Sequence, residues 1–253
     1  MPIVDFSLAG KTAIVTGGSR GIGRAIAIGL AEAGANVVIG ARKPESLTEA
    51  VEAVNATGAK GLGVVTNVRD MDSLANLVAE TKQAYGRVDI LVNNAGTNPV
   101  HGPAANIDER AWDAVFNTNL KSVFFLSQLV RDAILEHGQG GSIINISSTG
   151  GLRAGSGLGV YSISKAGLLM LTRVLASEWG VDGIRVNSIA PGVIQTEFSR
   201  PLWDKPGGGA ADGKGLGRIG TPEEMAGAAV YLASPASSYI TGATILADGG
   251  ALA

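Results

Sequence analysis

The feature that most constrains the fold is a set of seven short β-branched runs spaced along the whole chain: TAIVT at 12–16, NVVIG at 36–40, GVVTN at 63–67, DILVNN at 89–94, SIINIS at 142–147, RVNSIA at 185–190 and ATILA at 243–247. They are continuously apolar rather than alternating, the pattern of strands buried on both faces of a sheet. Between them lie segments with helical spacing, such as Ile22, Ile26 and Leu30, or Leu74, Leu77, Val78 and Thr81. Asp70 and Asp108 are placed to cap two of these helices, and TPEE opens another with Thr221 as cap, Pro222 in the first turn and acids at its positive end. Repeated strand–helix alternation predicts an α/β fold: a doubly wound parallel sheet of about seven strands with helices on both faces. Ligands of such sheets bind beyond the carboxyl ends of the strands, so function is sought just after each run.

No composition shift divides the 253 residues, and 45% hydrophobic residues with a mean hydropathy of +0.25 supply one well-buried core, so a single domain is expected. A formal net charge of -2 with scattered Lys and Arg offers no field to recruit nucleic acid or an anionic membrane. There are no cysteines, which removes disulfides and thiolate metal sites. His101 and His137 lack zinc-motif spacing and read as ordinary loop or helix-end residues, so no metal is expected. The N-terminus lacks a basic start followed by a long apolar run and Arg173 breaks the apolar stretch GLLMLTRVLASEWG, which makes a cytoplasmic protein without a membrane span the expectation.

The stretch TGGSRGIG, Thr16 to Gly23, joins the first strand to the first helix. Gly17, Gly21 and Gly23 are spaced G-x-x-x-G-x-G rather than G-x-G-x-x-G, yet occupy the place of a dinucleotide loop. Glycines there allow a tight turn and close approach of a pyrophosphate to the free N–H groups of the helix start. The second strand ends IGARK, with Ala41 where an acid would bind the 2′-hydroxyl of NAD, then Arg42 and Lys43. With Arg20 inside the loop, the missing acid and the cations point to the 2′-phosphate of NADP.

Tyr161 and Lys165 stand four apart in YSISK, on one face of an apparent helix. A neighbouring ammonium favours a phenolate, so the pair reads as an acid/base unit with a lowered tyrosine pKa. Ser148 adds a hydroxyl at the end of the fifth strand. With the glycine loop, NNAG at 93–96, NTNL around Asn119 and PGVIQT at 191–196, the chain resembles the short-chain dehydrogenase/reductase family over nearly its whole length.

That resemblance implies a Rossmann-type fold and a catalytic set of Asn119, Ser148, Tyr161 and Lys165. Hydride passes between nicotinamide and a carbonyl carbon, Tyr161 donates the proton, Ser148 fixes the oxygen, Lys165 holds the ribose, and Asn119 anchors a relay water. The same resemblance implies cofactor contacts from Gly17, Ser19, Arg20, Gly21, Ile22 and Gly23, from Arg42 and Lys43, from Asn67 and Val68 beside the adenine, from Asn94, Ala95 and Gly96, from Tyr161 and Lys165, and from Pro191, Gly192, Val193 and Thr196. At Asn67 the family usually has aspartate. Ser147 reads as structural.

Family members are commonly homotetramers, and helices over 108–137 and 158–180 are the expected interface. The Gly/Pro-rich segment 197–217 carries Phe198, Leu202 and Trp203 and is expected to be a substrate lid. A small free, partly apolar carbonyl or alcohol is the expected substrate. Carrier-protein reductases of the family usually present basic residues where Gln139 and Asp182 stand here, which counts against a 3-oxoacyl-acyl-carrier-protein substrate, although Arg131, Arg153 and Arg173 remain as substitutes. A non-catalytic NADP-binding sensor or scaffold is the alternative of another class, opposed by the intact tetrad. A nucleotide-sugar epimerase would need a further substrate domain.

Overall fold

The computed structural model describes residues 3–100, 102–155, 157–204 and 215–253. His101 and part of the expected lid, 205–214, lie outside them. Seven parallel strands, β1 (Thr12–Thr16), β2 (Asn36–Ala41), β3 (Gly61–Val65), β4 (Ile90–Asn93), β5 (Gly141–Ile146), β6 (Ile184–Pro191) and β7 (Thr244–Ala247), form one sheet in the order β3-β2-β1-β4-β5-β6-β7. The helices are α1 (Gly21–Glu32), α2 (Pro44–Asn55), α3 (Met71–Tyr85), α4 (Glu109–Phe116), α5 (Ser122–His137), α6 (Gly159–Trp179), the short α7 (Arg200–Trp203) and α8 (Ala226–Ala233).

Successive strand side chains point to opposite faces, and both faces are covered. On one side Ala13, Val15, Val37, Ile39 and Ile144 meet Ile26 and Leu30 of α1, Leu47 and Val54 of α2, and Leu232 of α8. On the other Ile14, Val38, Leu91, Ile143 and Val186 meet Leu74 and Leu77 of α3, Leu126 and Val130 of α5, and Leu175 and Trp179 of α6. This double burial is why the strands read as unbroken apolar runs, each fully buried Val, Leu or Ile contributing about 1.5–3 kcal/mol.

Asp70 and Asp108 cap α3 and α4 as expected, accepting from Asp72 and Ser73 N–H and from Ala111 N–H respectively. Two readings shift. The third strand begins at Gly61, two residues before the expected start, because Leu47, Val51 and Val54 of α2 lie directly over Gly61 and Gly63 and leave no room for side chains. Asn67 consequently falls in the turn after β3. At TPEE the cap is not the Thr221 hydroxyl: Glu224 reaches back to accept from Thr221 N–H at 2.8 Å, and the first turn is a 3-10 turn, Glu223–Met225. The Arg218 guanidinium hydrogen-bonded to Glu224 holds that carboxyl at about 2.

The sheet order reverses direction between β1 and β4. Connections leave this pair toward opposite edges and open a crevice above its carboxyl ends.

Candidate active site

The glycine loop and the NNAG segment meet in that crevice. Thr16, the last residue of β1, accepts through Oγ1 from the N–H groups of Asn94 and Ala95 at 3.1 and 3.2 Å. The Asn94 amide donates to the carbonyls of Thr16 and Gly17 at 2.9 and 3.1 Å. Gly17 and Gly21 have φ of 64° and 54°, in the left-handed region. At Gly23 a Cβ would lie 2.3 Å from Asn94 Nδ2 and 2.5 Å from the Gly17 carbonyl oxygen, so a side chain there collides with the loop itself. Thr196, from the segment after β6, closes on the same loop: its Cγ2 would be 3.2 Å from a Cβ on Gly21. A Cβ on Gly96 would point into space shared with Asn119 Oδ1 and Lys165 Nζ, 3.6 and 3.8 Å away. The cradle thus runs from the glycine loop to the Tyr/Lys helix, and glycines keep side chains off its floor where a dinucleotide would lie.

Arg20, the N-cap position of α1, and Arg42 and Lys43, which follow buried Ala41, are exposed and have no ion-pair partner among the described residues. Asn67 spends Oδ1 on its own turn, accepting from Arg69 N–H at 3.2 Å, which leaves the amide NH2 to donate.

Asn119, Ser148, Tyr161 and Lys165 are brought together at the carboxyl ends of β4 and β5. Asn119 is fully buried within a π-helical stretch, Asn117–Lys121, between α4 and α5. Its Oδ1 accepts from Thr97 N–H at 2.8 Å, and Nδ2 donates to the Thr97 carbonyl and to Ser164 Oγ, each at 3.0 Å. The amide side chain is therefore a brace between the NNAG segment and α6. Ser164 continues the brace by donating to the Tyr161 carbonyl at 2.7 Å. Sequence reasoning missed both Thr97 and Ser164; only the position of Ser164 inside YSISK hinted at it.

Ser148 caps a short 3-10 turn, Thr149–Gly151, accepting from Gly150 N–H at 3.0 Å. Ser147 points inward and donates to the Lys165 carbonyl at 3.1 Å, the structural role expected of it. Lys165 is buried, donates through Nζ to the Ile146 carbonyl at 2.7 Å, and lies 5.7 Å from the Tyr161 ring centre. Burial pulls its ammonium down to about 8. Burial also pushes the Tyr161 phenol up to about 12, outweighing a hydrogen bond with Ser148 that lowers it. The direction is opposite to the expected depression: the lysine has turned to the β5 carbonyl, and desolvation of a phenolate exceeds what it returns.

Three loops extend beyond the carboxyl ends of β4, β5 and β6. Gly102 N–H donates to the Gly157 carbonyl at 3.1 Å, tying the loop after β4 to the loop after β5. After β6, Phe198 places its ring 6.0 Å from that of Tyr161, and Trp203 of α7 donates through Nε1 to the Thr196 carbonyl at 3.3 Å.

This arrangement has counterparts. A family model described as enoyl-(acyl carrier protein) reductase matches residues 17–251. A Caenorhabditis elegans protein named dehydrogenase/reductase SDR family member 4 is 42% identical, over 95% of each chain. A 2-dehydro-3-deoxy-D-gluconate 5-dehydrogenase of Dickeya dadantii is 41% identical over 100% of both chains. Among solved structures, one described as an NAD(P)-dependent gluconate 5-dehydrogenase from Beutenbergia cavernae, with NADP bound at low occupancy, superposes with a TM-score of 0.91 at 40% identity, covering 98% of this chain and 99% of that one. A carveol dehydrogenase from Mycobacterium avium, in complex with NAD, has a TM-score of 0.91 at 29% identity, covering 97% and 98%.

Proposed function

The chain belongs to the short-chain dehydrogenase/reductase family, an oxidoreductase of CH–OH and C=O groups, and on that premise we propose that it interconverts a small free ketone and its secondary alcohol with NADP(H). The observation that carries the reading is the convergence of Ser148, Tyr161 and Lys165 on one crevice with the glycine loop and Gly96.

Bound NADPH supplies the hydride. Tyr161, neutral up to about 12, holds the proton for the carbonyl oxygen. Ser148 shares that oxygen as a second hydrogen-bond donor, its lone pairs already directed by Gly150 N–H. Lys165 keeps a positive charge below about 8 in a desolvated position beside Gly96, where it would hold the nicotinamide ribose. Asn119 and Ser164 hold the backbone of both helices in register. NADP rather than NAD is supported by Arg42 and Lys43 directly after Ala41, where no carboxylate stands to repel a 2′-phosphate, and by Arg20 in the glycine loop, none of the three in an ion pair among the described residues.

A free substrate is supported at the expected carrier-docking positions. Arg131 is held by Asp182 at 2.6 Å and lies over the Trp179 ring, while the Gln139 side chain is taken by Arg87. Neither of these two positions offers an open cation to an acidic carrier, whereas Arg153 and Arg173 are exposed without an ion-pair partner among the described residues, which is why the carrier-linked form belongs in the test. Phe198 beside Tyr161 supports the lid reading of the segment after β6 and an apolar contact next to the reacting carbon. Arg153, five residues after Ser148, is exposed without an ion-pair partner among the described residues, whereas Arg200 and Arg218 are neutralised by Asp204 and Glu224. An oxo-acid of the kind named for the sugar-acid relatives is therefore the first free substrate to try.

Oligomerisation through α5 and α6 is supported by an apolar surface cleft of 460 Å³ lined by Phe116, Leu120, Phe124, Phe125, Met170 and Val174. The deciding experiment measures NADPH oxidation with small ketones, sugar oxo-acids, free 3-oxoacyl thioesters and their carrier-linked forms. Turnover of the carrier-linked form above its free thioester overturns the free-substrate reading, and no turnover with any carbonyl overturns the enzyme reading.

A further inference from the structure

We infer that Asp248 is a positioning residue that holds the loop after β6 against the reaction centre. The inference rests on the reading of the Tyr161 cluster as that centre. Asp248 directly follows β7 and is itself part of neither the cofactor nor the catalytic reading, although Gly192 of the cofactor reading packs against its backbone. Its Oδ1 accepts from Gly250 N–H at 2.9 Å and its Oδ2 from Leu252 N–H at 3.0 Å. These bonds curl the chain back on itself, with Gly249 and Gly250 at φ of 63° and 85°.

The curl presents the Gly249 carbonyl to Leu216 N–H at 2.7 Å. Gly215, at φ 57°, lies so close that a Cβ there would be 1.9 Å from the Gly249 oxygen. The contact is backbone on backbone and excludes any side chain. On its other flank, Asp248 is pressed by the turn after β6: Gly192 N–H donates to the Ala247 carbonyl at 3.1 Å, and a Cβ on Gly192 would be 2.9 Å from Asp248 Cα. Asp248 meets the outgoing limb directly, and the Gly249–Gly250 turn that it holds meets the return limb at Gly215 and Leu216.

The limbs are joined further out. Gly220 N–H donates to the Val193 carbonyl at 3.0 Å, and Gln195 N–H to the Gly220 carbonyl at 2.9 Å. The outgoing limb then carries Thr196 against the glycine loop and Phe198 against Tyr161. A carboxylate that fixes the tail therefore fixes the return limb, and through it the apolar wall beside the reacting carbon. Removing it loosens substrate placement without touching the groups that transfer hydride or proton.

The test uses the full chain as wild type, Asp248→Ala, Asp248→Asn and Gly215→Ala. With the best carbonyl substrate, Asp248→Ala raises KM about tenfold, the scale of one lost charge-assisted hydrogen bond, while kcat stays within about twofold. Asp248→Asn, which keeps an acceptor for one of the two N–H groups, recovers part of the loss. Gly215→Ala, which pries the same contact from the other side, reproduces the KM rise. Independently of activity, amide exchange at Leu216 speeds up about tenfold in Asp248→Ala while the amides of α3 stay protected as in wild type. A kcat loss with KM unmoved, or unchanged exchange at Leu216, overturns the inference. If the wild type reduces no carbonyl, the functional reading fails, and exchange at Leu216 still decides whether Asp248 holds the loop.

Discussion

Lys165 Nζ lies 5.7 Å from the Tyr161 ring centre while its hydrogen bond goes to the Ile146 carbonyl, 2.7 Å away. The two groups of the YxxxK pair therefore titrate far apart, the lysine at about 8 and the tyrosine at about 12.

For NADPH-driven reduction, kcat/KM is expected to be level up to about 8 and to fall above it with the loss of one proton from Lys165, since Tyr161 remains protonated to about 12. A pH–rate profile checks this, and Tyr161→Phe should lose about 10²–10⁴-fold in kcat while still binding NADPH. On stability the lysine acts in the other sense. Between about 8 and 10.5 the unfolded chain keeps a proton that the native lysine has lost, so this group makes the native state more stable as pH rises. Tyr161 works against stability from 10.0 to about 12. Urea unfolding across that range, compared with Lys165→Met, isolates the lysine contribution.

Gly23→Ala places a methyl 2.3 Å from Asn94 Nδ2 and 2.5 Å from the Gly17 carbonyl oxygen. Backbone and a hydrogen-bonded amide are the obstacles, so the loop itself must move. NADPH affinity, read by nucleotide fluorescence, should fall by about tenfold or more, the scale of at least one lost phosphate contact.

Arg42→Asp replaces an exposed, unpaired cation beside Ala41 with the carboxylate that a 2′-hydroxyl prefers. The ratio of kcat/KM with NADPH to that with NADH should drop by about tenfold or more. A ratio that stays put removes the argument for NADP.

Asp89→Ala tests stability at the opposite end of the sheet. Asp89 is 2% exposed and accepts from Thr12 N–H at 3.0 Å, Lys11 Nζ at 3.2 Å, Arg87 Nε at 2.8 Å and Arg87 Nη2. Losing the carboxylate leaves the buried Thr12 N–H without its acceptor while the partly exposed Lys11 and Arg87 turn to water, at a cost of about 1–3 kcal/mol in unfolding free energy. Because the cluster sits at the amino ends of β1 and β4, kcat of the folded variant should remain that of wild type.

Much of what is local was legible, the Thr221 cap at TPEE being an exception. Helix faces such as Leu74, Leu77, Val78 and Thr81, and caps such as Asp70, follow from spacing alone, and each is found as read. The third strand was misplaced because its first residues are glycines, whose place in a strand depends on the Leu47, Val51 and Val54 side chains packed over them.

What the sequence determined by itself is the strand–helix period, the place of the glycine loop and the residue types gathered after each strand, since these depend on covalent spacing and backbone preference. The partners of those residues belong to the tertiary structure. Asn119 is braced by Thr97 and Ser164, Lys165 turns to Ile146, Tyr161 is raised rather than lowered, and Asp248 meets the loop return at Leu216 through the curl it forms. Hydrogen-bond choice and desolvation depend on which distant segments the packed core brings within a few ångströms, and no linear spacing encodes that distance.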